Sequence, residues 1–236
     1  MNKTYDSIVR SDIVICQPEE GFRFSVDAVM LADFVRPSAK SKTIDIGSGS
    51  GVIAALLAKV KGYTDIDALE LQESMFSCLS ETVQKNGLEG VVKPVLGDLR
   101  SYRPEFHYDA AVCNPPYRKE SSGKIPPTLT ERTARFNETM NLDDLFGFCK
   151  SFLKSGGSLS ICIDSDLLAD VFVTARKNRL EPKRMRLVHP DGQTVARTAL
   201  IEFRRDGKAE LIIEPPLIMR INGEYTEEMR RITGAL

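Results

Sequence analysis

Short apolar runs separated by helical or polar segments recur along most of the chain, and their spacing predicts an α/β fold. Seven of these runs are predicted to be strands: 43–46, 66–70, 91–96, 109–113, 158–164, 183–189 and 197–204. Helical periodicity over 52–59 and 72–86 separates the first three strands. This alternation predicts a mostly parallel, seven-stranded sheet with helices on both faces, ended by an antiparallel hairpin of the last two strands.

The first 36 residues differ in pattern from the rest of the chain. Residues 12–24 are predicted to form two short strands around a Pro-Glu-Glu-Gly turn. Ser25 is a favourable N-cap for the helix that follows, with Asp27 in its first turn. We expect residues 1–36 to supply strands and a helix that pack on the core, and residues 37–236 to form the main α/β domain.

The composition indicates one sizeable core and no polycation. The 236 residues are 42% hydrophobic with a formal net charge of −1, so any nucleic-acid contact has to come from local patches. The five cysteines form no CxxC pair, which predicts buried, reduced thiols and a cytoplasmic location. Two distant histidines predict no metal site, and the absence of an apolar stretch of about 18 residues predicts no membrane span.

The first strand of the main domain runs into a glycine loop whose spacing distinguishes between cofactors. Asp45 is followed by Gly47, Gly49 and Gly51, whereas a dinucleotide fingerprint needs a glycine in place of Val52. A carboxylate before the glycines repels a pyrophosphate but attracts an ammonium or sulfonium group, which favours S-adenosylmethionine. Glycines let the backbone approach such a ligand closely; an ordinary glycine-rich turn is the alternative.

The next two strands also lead to acids. Glu70 ends its strand 23 residues after Gly47, a distance at which an acid can bind ribose hydroxyls. Asp98 follows the third strand, where its carboxylate can accept from an adenine amino group, with Leu99 packing beside the ring. Asp27 is either a favourable first-turn charge or a contact for the amino end of the cofactor.

The fourth strand stops at the sequence Asn114-Pro115-Pro116-Tyr117. The prolines remove backbone donors and fix φ, so the strand ends in a rigid elbow at the edge where α/β sheets bind ligands. The Asn114 side chain and the Pro115 carbonyl can accept both N–H groups of a planar amine, and Tyr117 can stack on the substrate. This predicts methylation of an exocyclic amine or a carboxamide; a plain Pro-Pro turn is the alternative.

Two basic segments are candidates for phosphate contacts. The candidate RNA-binding residues are Arg118, Lys119, Arg132 and Arg135 in the loop 118–139, and Lys183 and Arg184 in the run 176–186. The alternatives are a solvated loop in the first case and a charged helix end with a solvated strand face in the second.

At DIGSGSG, Glu70, Asp98 and NPPY the chain resembles the class I S-adenosylmethionine-dependent methyltransferases. The NPPY motif narrows the resemblance to the amino-methylating branch. Within that branch the chain most resembles the tRNA1(Val) adenine-N6-methyltransferases, through QPEEGFRFSVDAVMLADF, Ala134-Arg135-Phe136, RTALIEF and INGEYTEE. The resemblance spans nearly the whole chain, but only the methyltransferase motifs are specific.

The resemblance implies N6-methylation of an adenine next to the anticodon of valine tRNA, by a Rossmann-like methyltransferase domain over 37–236. Asn114, Pro115 and Tyr117 would hold the flipped base. The implied S-adenosylmethionine site comprises Phe24, Asp27, Asp45, Gly47, Ser48, Gly49, Gly51, Glu70, Leu71, Asp98, Leu99 and Asn114.

Three other functions stay open at this point. A release-factor glutamine N5-methyltransferase also carries NPPY, but typically behind a helical domain, and only 44 residues precede Asp45 here. A ribosomal RNA guanine N2-methyltransferase uses a similar elbow. The third is an inactive, methyltransferase-like RNA-binding protein, against which the intact acids and elbow argue.

Overall fold

The computed structural model describes residues 2–8, 13–20, 23–36, 40–115 and 141–234. The strands are β1 Lys3–Ile8, β2 Ile13–Pro18, β3 Lys42–Ile46, β4 Asp65–Glu70, β5 Val92–Leu96, β6 Tyr108–Cys113, β7 Leu153–Asp164, β8 Leu180–Asp191, β9 Thr198–Arg205, β10 Ile212–Ile213, β11 Leu217–Ile221 and β12 Glu224–Tyr225. The helices are α1 Val26–Phe34, α2 Val52–Lys61, α3 Glu73–Lys85, α4 Leu142–Phe152, α5 Leu168–Lys177 and α6 Glu227–Thr233, with a 3-10 turn at Ser165–Leu167.

Strands β5-β4-β3-β6-β7-β9-β8 lie side by side in the main sheet, in that order. Strands β3 to β7 pair in parallel, so their carboxyl ends meet at one edge of the sheet, which we call the carboxyl edge. The order reverses direction at β3, which lies between β4 and β6. In open α/β sheets a ligand crevice forms at such a reversal, outside the carboxyl ends of the strands.

Two hydrophobic clusters cover the two faces of this sheet. One contains the buried faces of α1, α2 and α6, and the other contains those of α4 and α5. The predicted α/β fold with helices on both faces is therefore confirmed. All five cysteines are buried and free, as the scattered spacing indicated. Across the described ranges, no helix combines the length and apolar character that crossing a membrane requires.

The antiparallel hairpin of β8 and β9 is confirmed, but it does not end the sheet. In the described part of the chain, β10 and β11 pair in parallel with β8 and β12 pairs with β11, giving a sheet of ten strands instead of seven. The added strands have only two to five residues, and Pro215 and Pro216 interrupt the apolar residues between 211 and 219, so no continuous run marked them as strands. Strand β8 also runs from Leu180 to Asp191, beyond both ends of the predicted strand 183–189.

The N-terminal strands pair differently from the prediction. Strand β2 pairs with the polar β1, from Lys3↔Pro18 to Ile8↔Ile13, rather than with residues after the Pro-Glu-Glu-Gly turn. Polar side chains at the end of α3 hold this hairpin. The Asn86 amide accepts from the N–H of Val14 at 3.0 Å, and the Thr82 hydroxyl accepts from the N–H of Cys16 at 3.0 Å. These side chains thus satisfy the outer edge of β2, which explains why a mostly polar β1 is enough to complete the pair.

Candidate active site

The glycine loop between β3 and α2 lies at the middle of the carboxyl edge. The N–H groups of Gly47 and Ser48 both donate to the Leu69 carbonyl, at 2.9 and 3.0 Å. Gly47, Gly49 and Gly51 have φ of 68°, 56° and 83°, a region that residues with a Cβ adopt at a cost. A Cβ on Gly47 would meet open space, whereas one on Gly51 would lie 2.6 Å from a methyl of Leu79.

Asp45 lies in β3, just before this loop, and only one of its two carboxylate oxygens accepts a hydrogen bond. Its side chain is 1% exposed, and Oδ2 accepts from the N–H of Ala54 in α2 at 3.2 Å. Its other oxygen, Oδ1, is buried without a hydrogen-bond partner. Burial raises the pKa of Asp45 to about 7, with a smaller contribution from the charge of Glu70 and an opposing one from the Ala54 N–H. A cationic ligand group at Oδ1 would remove this deficit.

Glu70, at the end of β4, braces the glycine loop. Its two carboxylate oxygens accept from the N–H groups of Gly49 and Gln72, both at 2.8 Å. Burial raises its pKa, and these hydrogen bonds oppose the increase. Each oxygen keeps a further lone pair, so the predicted bond from a ribose hydroxyl is compatible with the brace. Leu71 follows at the surface, 38% exposed.

Asp98, just beyond β5, forms a bidentate pair with Arg100. The guanidinium Nε lies 3.0 Å from each carboxylate oxygen, and this pair lowers the pKa of Asp98. The carboxylate therefore has a partner, and an adenine amino group would have to share it with Arg100, whose side chain is half exposed. Leu99 is 6% exposed and belongs to the same hydrophobic cluster as the buried faces of α4 and α5.

Asn114 and Pro115 directly follow the end of β6. Strand β6 adjoins β3 with Cys113 opposite Ile46, so Asn114 lies beside Gly47 at the carboxyl edge. Pro115 is buried and Asn114 is partly exposed. Within the described ranges no hydrogen bond engages the Asn114 amide. Tyr117 lies outside the described residues, as do Arg118, Lys119, Arg132 and Arg135.

Phe24 and Asp27 lie at the start of α1. The Ser25 hydroxyl accepts from the N–H of Asp27 at 3.2 Å, which confirms the predicted cap, and it donates to the Asp27 carboxylate at 2.9 Å. The N–H of Phe24 donates to Gln17 Oε1 at 2.9 Å. Gln17 is 1% exposed, and sequence pattern did not single it out, because a polar residue in a short apolar strand carries no distinctive spacing. The charge of Asp27 helps to raise the pKa of Cys162 on β7, which places this helix start near that strand.

The basic run 176–186 is not a free cationic surface. The carboxylates that pair with it include Glu181 with Arg176, Asp206 with Arg179, Glu210 with Lys183 and Glu228 with Arg186. Arg184 is 6% exposed and contacts Glu202, Glu214 and the carbonyl of Phe34. The prediction that Arg184 binds RNA is therefore wrong, because its charge is already neutralised inside the fold.

The residues present fit S-adenosylmethionine. The unpaired oxygen of Asp45 suits an ammonium group, and the open space at Gly47 lets a ligand approach the backbone. When bound, this cofactor supplies an activated methyl group on a sulfonium. Together with the strand order that reverses at β3, these features are those of an S-adenosylmethionine-dependent methyltransferase.

Comparison with known proteins agrees with this class. The chain belongs to the methyltransferase small domain family, which matches residues 25–176. It is 27% identical over 143 residues to the tRNA1(Val) (adenine(37)-N6)-methyltransferase of Aliivibrio fischeri, with 61% of this chain and 60% of that protein aligned. It is 23% identical over 215 residues to the protein of that name from Vibrio campbellii, covering 91% and 88%.

The fold also matches a solved structure. A protein from Agrobacterium tumefaciens, described as a predicted O-methyltransferase, superposes with a TM-score of 0.68 at 18% identity, covering 88% of this chain and 95% of that one. At this identity the superposition speaks for the fold alone. It agrees with the sheet and helix layers that the sequence predicted.

Proposed function

We propose that this methyltransferase modifies valine tRNA, at N6 of the adenine next to the anticodon. Relatives that align with most of the chain carry the name tRNA1(Val) (adenine(37)-N6)-methyltransferase. Because these relatives are only 23% and 25% identical, the proposal for the substrate is based on the geometry of the candidate site as well as on the names of the relatives. The proposed compartment is the cytoplasm, where such a tRNA is found.

The observation that carries the proposal is the pairing of β3 with β6. Cys113 lies opposite Ile46, so the Asn114-Pro115 elbow and the glycine loop leave the sheet side by side. Neighbouring strands are about 4.8 Å apart, which brings an acceptor group for an amine within reach of a methyl group held over the loop. A chain that methylated a hydroxyl or a carbon would have no need of two hydrogen-bond acceptors there.

The roles of the residues follow from this arrangement. Asn114 Oδ1 and the Pro115 carbonyl would each accept one N–H of the adenine amine, which localises the nitrogen lone pair and stabilises the charge that develops on attack. Tyr117 would stack on the base. The cofactor would supply the methyl group, with its sulfur leaving as the neutral thioether, and the methylated amine would then lose a proton to solvent. Asp45 would hold the ammonium group of the cofactor, with Glu70 at its ribose and Asp98 at its adenine.

We assign residues 1–36 to an addition that packs on the methyltransferase domain formed by 37–236. The β1–β2 hairpin contacts α3 and its C-cap through hydrogen bonds to Thr82 and Asn86, and α1 packs against α2 in the same hydrophobic cluster. These contacts favour a structural role for the addition, with Phe24 and Asp27 reaching the cofactor from the start of α1.

Replacement of Asn114 tests the catalytic assignment. We expect Asn114→Ala to lower methyl transfer to tRNA at least about 100-fold, since one acceptor of the transition state is lost. Binding of S-adenosylhomocysteine, measured by calorimetry, should change far less. Asn178→Ala is the matched control, because Asn178 caps the far end of α5 and lies away from the carboxyl edge. Transfer by Asn114→Ala at the wild-type rate would remove Asn114 from catalysis.

A further inference from the structure

We propose that the loop of residues 192–197, with Arg220 beside it, contacts the RNA strand next to the target base. This inference rests on the proposed function, because it names a docking surface for the same substrate. We call residues 192–197 the Arg197 loop. It connects β8 to β9. We assign to it the phosphate contacts that the sequence pattern had suggested for the basic run 176–186.

The Arg197 loop stands at the carboxyl edge, close to the elbow. Ser165, which directly follows β7, donates from its N–H to the Arg197 carbonyl at 2.9 Å and from its hydroxyl to the Ala196 carbonyl at 2.6 Å. Strand β7 pairs directly with β6, the strand that ends before Asn114. The loop enters β9, two strand spacings from β6, which is about 10 Å along the edge.

The loop is held in one conformation by its own hydrogen bonds. The Asp191 carboxylate accepts from the N–H groups of Gln193 and Thr194, at 2.9 and 2.8 Å, and from the Thr194 hydroxyl. The carbonyl of Thr194 lies 2.8 Å from His189 Nδ1. The N–H of Arg197 donates to the Val188 carbonyl at 3.1 Å. A surface fixed in this way loses little entropy when a partner binds.

The exposed side chains of the loop suit a nucleic acid. Val195 is 78% exposed, more than any other large hydrophobic residue among those described. Arg197 is also exposed, and in the described part of the chain no carboxylate lies within ion-pair distance of its guanidinium. Apolar side chains at such sites pack against nucleobases or ribose, while free arginines bind phosphate. The Asp191 carboxylate is bonded to Gln193 and Thr194 within the loop and forms no ion pair with Arg197; its pKa is lowered mainly by these hydrogen bonds, with a small contribution from the charge of Arg197.

Arg220 extends the same surface by one strand. It lies opposite Asp191 in the pairing of β11 with β8, and its guanidinium is 4.5 Å from the ring centroid of Tyr225. An exposed arginine stacked on an aromatic ring provides both a phosphate contact and a flat surface for a base. Strand β11 is four spacings from β6, about 19 Å, so one RNA strand can reach the elbow and Arg220 together.

The test compares Arg197→Gln, Arg220→Gln and Val195→Asp with wild type, using unmodified tRNA. We expect each to raise KM for tRNA roughly tenfold, and the combined arginine variant to flatten the slope of log Kd against log salt by about 1.5, since each phosphate contact contributes about 0.7 to 0.9. The Kd for S-adenosylhomocysteine and kcat at saturating tRNA should stay at wild-type values. Val195 is exposed, so its replacement should leave the fold intact.

Arg103→Gln is the matched control. Arg103 is exposed and lies over the ring of Phe152 near the opposite edge of the sheet, where the proposal places no RNA. Wild-type KM and salt slope in Arg197→Gln, Arg220→Gln and Val195→Asp would overturn the inference while leaving the proposed function in place. A wild-type protein that neither binds nor methylates tRNA would overturn both. A loss in Arg103→Gln equal to that in Arg197→Gln would also overturn it, because the effect would then be one of overall charge.

Discussion

Burial of Asp45 has an electrostatic cost, because one of its carboxylate oxygens has no hydrogen-bond partner among the described residues. A group placed in this way is a poor contributor to stability and a good anchor for a cation. The same burial that raises its pKa to about 7 strengthens the attraction between the carboxylate and a bound ammonium group, because the dielectric constant around them is low. Ligand affinity and pH are therefore linked through this residue.

The affinity for S-adenosylhomocysteine should depend on pH through Asp45. Its ammonium group needs the ionised carboxylate, which is present above a pKa of about 7 and is lost below it. We expect calorimetry to give a Kd about tenfold weaker at pH 6 than at pH 8. In Asp45→Asn the Kd should be weak at both pH values. A wild-type Kd that is equal at both would contradict the assignment of Asp45.

Ionisation of Asp45 favours ligand binding, but it lowers the stability of the ligand-free protein. Because its folded pKa is raised above 3.8, the contribution of Asp45 to stability is fully present at low pH and is lost as pH rises through about 7. The variant Asp45→Asn should therefore be more stable than wild type at pH 8, by on the order of 2 kcal/mol in urea unfolding, and show less advantage at pH 5.

Sequence pattern singled out Asp45, Glu70, Asp98 and Asn114 as candidates, and the structure has each of them at or next to the carboxyl end of a strand. It could not reveal that Glu70 braces the loop through Gly49, since that contact joins residues 21 apart in the chain. The error at Arg184 has the same origin. A run of cations has no local sign of which members pair with carboxylates, and Glu202 approaches Arg184 only because β8 and β9 pair.

At the scale of elements, the most accurate predictions were for segments with a continuous apolar run, such as α2 and β6. Strand β2 was also predicted, but its partner β1 was not, because β1 is mostly polar. Strands β10 to β12 were not predicted, because they are short and lie on either side of Pro215 and Pro216. Tertiary contacts decide such elements: β11 exists because β8 offers an edge, and β1 because β2 does. Because these strands were not predicted, the surface around Arg220 could not be predicted either.

The glycine loop gives a prediction at this scale. In Gly51→Ala the new Cβ would meet both a φ of 83° and a methyl of Leu79 at 2.6 Å, in a well-packed core. We expect urea unfolding to show a loss of about 2–4 kcal/mol, of which about 1–2 kcal/mol comes from the backbone conformation.

The other end of α2 supplies the control. Gly62 has a φ of 74°, and a methyl group added there would have no neighbouring atom within 4 Å, so Gly62→Ala carries the backbone cost alone. The difference between the two variants measures how tightly α2 is fitted against α3. Equal losses of stability would mean that Leu79 moves aside freely and that Gly51 is needed only for its φ.

At the scale of the whole molecule, a net charge of −1 has to be reconciled with the proposed RNA substrate. In the described part of the chain, the explanation lies in where the basic residues are placed. The run 176–186 is largely neutralised by acids such as Glu181 and Glu202, while Arg197 and Arg220 stand exposed at the carboxyl edge. Binding should therefore be local and dependent on shape, with fewer phosphate contacts than a polycationic RNA-binding protein makes.

The most direct test of the central claim is methyl transfer from radiolabelled S-adenosylmethionine to two transcripts of valine tRNA that differ only at position 37, adenine or guanine, with the labelled nucleoside identified by mass. The account predicts N6-methyladenosine in the adenine transcript and no label in the other. Equal label in both transcripts, or label that appears only when ribosomal RNA or a release factor is supplied, would contradict it.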